Sequence, residues 1–102
     1  MAYRIVDAKG PDFWNDLTPY GTRQAADKAL ADAQYWAREE AKREPSWASA
    51  RLVVREVSLA GWTAGDGTGA EGYRVEDYFA TDGSYRGPDE HGIEPVFEEK
   101  AS

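Results

Sequence analysis

The chain has no cysteine, a single histidine and a single methionine. Nowhere does it approach the run of about eighteen apolar residues that a membrane helix needs. Without cysteine there is no disulfide scaffold, no thiolate metal site and no cysteine nucleophile. One histidine leaves little from which to build a catalytic triad, and Ser46, Ser49, Ser58, Ser84 and Ser102 occupy no nucleophile-elbow motif. No Gly-Lys-Ser or Gly-Lys-Thr exists to make a P-loop. The start, Met1 to Asp7, has neither a basic cluster nor a long apolar stretch, so no secretory signal is expected and the expected location is cytoplasmic.

What is present suits one small globular domain. At 102 residues with 41% hydrophobic and 13% aromatic residues, the chain can fill a modest core, and a single domain spanning 1–102 is expected. Net charge is -7, unevenly placed. Residues 1–51 hold eight basic and eight acidic side chains and residues 52–102 hold four and eleven, so the imbalance lies wholly in the second half. Such a half repels phosphate backbones and suits basic partner surfaces. Arginine outnumbers lysine, and alanine, glycine and aspartate are common, the composition of a GC-rich bacterial or phage genome.

The periodicities predict an α+β fold. One long helix packs on a mainly antiparallel sheet of three to four strands, in the order β-α-β-β-β. Tyr3–Asp7 reads as the first strand. Thr22 is a credible N-cap for a helix running to Arg43, with Ala26, Ala29, Leu30, Ala33, Trp36 and Ala37 on its buried stripe and Pro45 as its stop. Arg51–Leu59 is rich in β-branched residues and reads as a strand. Its apolar parity shifts from Leu52 and Val54 to Val57 and Leu59, which requires either a bulge near Val54–Arg55 or partial cover on both faces. Tyr73–Phe79 reads as a third strand, turned back by Asp82-Gly83 in a type I′ turn so that Ser84–Arg86 forms a short edge strand. The expected core comprises Tyr3, Ile5, Leu30, Ala33, Trp36, Val57, Val75 and Phe79. The acidic tail is expected to fray from about residue 98.

Several constellations invite a chemical reading. Gly67 to Gly72 matches G-x-G-x-x-G, but the fingerprint must open a helix and here a strand is expected to follow, so no dinucleotide site is inferred. His91 stands among Asp89, Glu90 and Glu94 in a glycine- and proline-rich segment, where carboxylates stay solvated, and no metal site is inferred. Around Asp82, Tyr78 and Ala80 would fill calcium-ligand positions that need oxygen donors. The expectation is therefore a protein that is not an enzyme, carries no cofactor and has no catalytic residue.

Binding remains. Tyr35 on the polar helix face, Trp14 and Trp47 in loops, Tyr85 on the edge strand, and Asp89, Glu90 and Glu94 are the candidate partner-binding residues. They suit an accessory or regulatory protein, or a phage-type inhibitor, acting on a protein with a basic surface. Two alternatives stay open: a structural subunit of a homo-oligomer, and a single-stranded nucleic-acid module using Arg4, Arg55, Arg74 and Tyr78 on a sheet face, where arginine holds phosphates and tyrosine stacks bases.

Overall fold

The computed structural model describes residues 2–9, 14, 16–63, 73–88 and 92–99. The fold is α+β: a three-stranded antiparallel sheet carries one long helix. β1 is Ala2–Asp7, α1 is Arg23–Arg43, β2 is Leu52–Trp62 and β3 is Pro95–Glu99, and β2 lies in the centre of the sheet. Short 3-10 helices occupy Pro45–Ser49 and Val75–Tyr78. Among the described residues no helix is long and apolar enough to cross a membrane.

α1 begins and ends where local chemistry says it must. Thr22 has extended backbone angles and its hydroxyl accepts from the Ala25 amide, satisfying one of the donors that a first turn leaves open. Lys42 and Arg43 sit at the negative end of the helix dipole, and Glu44 leaves helical geometry ahead of Pro45. The buried stripe of alanines lets the helix lie close to the sheet. Ile5, Ala33 and Leu52 form the centre of that interface, with Trp14, Tyr20, Ala29, Leu30 and Ala37 packed around them.

The parity shift in β2 is resolved by cover on both faces. Pairing from Ala2 opposite Val57 to Asp7 opposite Leu52 runs without interruption, so there is no bulge at Val54–Arg55. Directly paired residues share a face, which places Leu52 and Val54 with Ile5 under the helix and Val57 with Ala2 on the reverse. Ala2 and Val57 are completely buried there. An irregularity does occur further along, between Leu59 and Gly61, where β2 meets β3. Asp7, also buried, accepts from the Lys9 and Arg51 amides and so joins the end of β1 to the start of β2.

The segment expected to be a third strand is a 3-10 turn. From Val75 to Tyr78 the backbone coils, and Tyr78 is driven inward until its ring lies 5.6 Å from Trp62 and its hydroxyl donates to the Ile93 carbonyl. Burying an aromatic with its polar tip satisfied outweighs the segment's β propensity. The hairpin that follows exists but is built differently. Gly83 N–H donates to the Ala80 carbonyl and Gly83 has φ +89°, whereas no described non-glycine residue has positive φ. The tight turn is thus centred on Thr81–Asp82 with Gly83 as the left-handed bulge residue, and not a type I′ turn centred on Asp82-Gly83. Ser84–Arg86 makes only an isolated bridge, Phe79 to Tyr85, and is not an edge strand of the sheet. The third strand lies beyond it, at Pro95–Glu99, and takes in Glu98 and Glu99 opposite Ser58 and Val57.

Of the expected core, Ile5, Ala33 and Val57 are buried, Tyr3, Leu30, Val75 and Phe79 are half-buried, and Trp36 does not belong: it is 61% exposed. α1 lies over β1 and β2, and its buried residues Ala26 and Ala33 define a face too narrow to take in Trp36 at the stripe's margin.

Candidate functional site

Two clefts among the described residues hold side chains that the sequence singled out. The first, about 340 Å³, lies between the loop Asp16–Pro19 and the strand lead Glu94–Phe97, with Arg4 and Tyr85 completing its wall. Each element is held for a local reason. Asp16 Oδ1 accepts from the Thr18 amide at 3.0 Å and from its hydroxyl at 2.6 Å, an Asx-type turn that aims the chain into the bridge between Tyr3 and Tyr20. Gly83 carbonyl accepts from the Gly21 amide, docking the hairpin against the start of α1, and the Phe79 ring packs on Tyr85 at 5.7 Å and on Phe97 at 6.3 Å.

Within this cleft the Tyr85 hydroxyl donates to Glu94 Oε2 at 2.9 Å. Partial burial, and then the Glu94 carboxylate as both acceptor and charge, push the Tyr85 hydroxyl well above the usual phenol range, so it stays a donor at any physiological pH. Arg4 lies on β1, yet its Nη1 donates to the Phe97 carbonyl of β3 at 3.2 Å, spanning the central strand. Its Nε is buried and has no acceptor among the described residues. At the rim Leu17 is 66% exposed and Val96 43%, large apolar side chains beside two carboxylates.

The second cleft, about 530 Å³, runs between α1, the 3-10 helix Pro45–Ser49 and the start of β2. Ala37, Ala41, Trp47, Leu52 and Val53 make it apolar, and Arg38 and Arg51 are its charged residues.

Charge on α1 is partly paired within the helix. Along α1, Arg23 pairs with Asp27 at 3.2 Å, Lys42 with Glu39 at 3.1 Å, and Arg43 with Glu40. Glu76 and Asp77 on the second 3-10 helix and Glu98 and Glu99 on β3 are exposed and make no ion pair among the described residues. No group of metal-ligating side chains is assembled among the described residues.

The chain matches no family model, no curated protein and no solved structure.

The residues singled out in the sequence are therefore scattered, with one exception. Tyr85 and Glu94, nine positions apart, meet in the first cleft, joined there by Arg4, which the sequence reading had assigned to a different surface. Trp14 packs against the Ile5 cluster, and its indole N–H is buried without an acceptor among the described residues. Trp47 is half-buried in the second cleft, and Tyr35 is exposed, its ring edge-on to Trp36 at 5.9 Å. Arg4 and Arg55 are cross-strand partners, and Arg74 is exposed at the head of the second 3-10 helix. Tyr78, at 5% exposure, has no open ring face for a base. Asp89, Glu90, His91 and the Gly67–Gly72 stretch lie outside the described residues. Sequence reasoning missed Leu17, Val96 and Trp36 as surface apolar groups. Leu17 between Asp16 and Thr18 was the visible signal, since an apolar residue inside a polar turn rarely reaches a core.

Proposed function

We propose that this protein is not an enzyme and acts by binding another protein that presents a basic surface, through the cleft of Asp16, Leu17, Tyr85, Glu94 and Val96. The observation that carries this reading is the meeting of the Tyr85–Glu94 pair with two exposed apolar side chains at one cleft. A lysine or arginine side chain has the matching shape, an apolar stem and a charged head. The stem lies along Leu17 and Val96, and the head meets the Asp16 and Glu94 carboxylates. The carboxylates at Glu76, Asp77, Glu98 and Glu99, which make no ion pair among the described residues, steer such a partner inward over distances that salt screens. Tyr85 holds Glu94 in place, so that the carboxylate meets its partner already oriented. The alternative with single-stranded nucleic acid draws no support from Tyr78, whose ring is occupied by Trp62.

The test is fluorescence anisotropy with a labelled peptide of alternating lysine and leucine, at rising salt, against wild type, Glu94→Gln and Leu17→Ser. Wild type is expected to bind most tightly, with affinity that falls as salt rises and falls again in each variant. Binding by both variants as tight as that of wild type, or tighter binding of a single-stranded oligonucleotide than of the peptide, overturns the proposal.

A further inference from the structure

The second cleft has the opposite sign in an acidic protein. Arg38 projects from α1 and Arg51 stands immediately before β2, and both are exposed. Neither makes an ion pair among the described residues, whereas Arg23, Lys42 and Arg43 on the same helix are each held by a carboxylate three or four positions away. No carboxylate lines the cleft. Its remaining lining consists of Gln34, Ala37, Ala41, Trp47, Ala48, Ala50, Leu52 and Val53, among which only Gln34 has a polar side chain apart from the indole N–H. Gln34 is directed to the cleft's own wall, its amide donating to the Leu52 carbonyl at 3.5 Å.

We infer that this cleft is a docking site for an acidic peptide segment of another protein, one whose glutamates or aspartates alternate with apolar side chains. Charge complementarity selects the occupant. Guanidinium groups that make no ion pair among the described residues offer planar, two-pronged donation that matches a carboxylate. The alanines of α1 keep the floor low, so that apolar side chains reach the half-buried Trp47 and remove its exposed surface from water. A chain of net charge -7 repels an acidic segment at long range, so binding there requires the local field of these two arginines. The site shares no residue with the acidic cleft proposed for a basic partner, and the inference stands or falls independently of that reading.

The test uses the whole protein and a fluorescein-labelled peptide of glutamates interrupted by leucines. The control peptide carries glutamine in place of each glutamate. Anisotropy titrations compare wild type with Arg38→Ala, Arg51→Ala and Ala48→Trp, the last adding bulk at an exposed position on the cleft wall. Thermal unfolding of each variant establishes that it is folded. The expected result is saturable binding of the glutamate peptide, weakened by salt. Each arginine variant weakens it by roughly two- to fivefold, the range of a single exposed ion pair, and Ala48→Trp abolishes it. Equal affinity for the glutamine peptide overturns the proposal, as does binding by both arginine variants as tight as that of wild type. Sedimentation velocity without peptide supplies the last outcome: self-association lost in Arg38→Ala and Arg51→Ala, with no peptide bound, would make a second copy of this chain the occupant and likewise overturn it.

Discussion

Replacing Gly83 by alanine tests the joint on which the hairpin hangs. Gly83 has φ +89°, and a Cβ added there would run into the Thr22 hydroxyl, lie 2.9 Å from the Ala25 Cβ and 3.1 Å from the Thr22 amide. Two costs combine. The left-handed backbone penalises a Cβ by about 1–2 kcal/mol. The collision falls on the hydroxyl that caps α1, and losing an N-cap costs about 1 kcal/mol, with a range of roughly 0.5–2. The expected loss is thus about 2–4 kcal/mol, which for a domain near this size lowers Tm by roughly 10–30 °C. Chemical denaturation followed by circular dichroism measures it directly. The decisive comparison is a double-mutant cycle with Thr22→Ala. Alanine at position 22 has no hydroxyl to collide with, so the double variant should lose less than the sum of the singles, by about 0.5 kcal/mol or more. Strict additivity would show that the two residues do not press on each other. A loss under about 0.5 kcal/mol for Gly83→Ala alone would refute the positive-φ argument as well.

Trp36→Ala distinguishes a core residue from a surface one: burial would make the loss about 3–5 kcal/mol, and the exposed position predicts less than about 1 kcal/mol by denaturant melt. Tyr85 and Tyr20 both have raised pKa values, each chiefly through burial, with Glu94 adding to the first and Asp16 and Asp32 to the second. A folded-state pKa above the ordinary phenol value of 10.0 means that the unfolded chain releases these protons first, so stability is intact below pH 10 and falls as pH rises above it. Denaturation midpoints measured across that range should decline, and Tyr85→Phe should make the decline shallower; an identical slope in the variant contradicts the assignment.

Most of the helix was readable without coordinates because its signals are local. A hydroxyl three residues ahead of an open amide, a basic last turn and a proline act within one turn of chain, and no distant contact reverses them. β1 and β2 were readable for a related reason, the β-branched run, but the parity shift of β2 allowed either a bulge or cover on both faces, and only the uninterrupted pairing with β1 chose the second. Glycine at 83 announced a turn, although its class depended on whether Asp82 would take positive φ, and it does not.

What the sequence determined by itself was the α+β class, the extent of α1, the first two strands and the uneven placement of charge. Tertiary structure decided the rest. Tyr73–Phe79 has strand composition, but the Ile93 carbonyl and the Trp62 ring offered Tyr78 a better place, and the backbone coiled to reach it. Pro95–Glu99 has two glutamates and a proline and little strand propensity, yet β2 had an edge whose backbone groups needed partners. Trp36 sits at the margin of the stripe by periodicity, and only the width of the sheet beneath α1 settles that it faces solvent. The candidate sites belong to the same class of decision. Arg4, Asp16, Tyr85 and Glu94 come from one end of the chain to the other, and no spacing along a sequence records that a sheet and a hairpin will bring them to a single cleft.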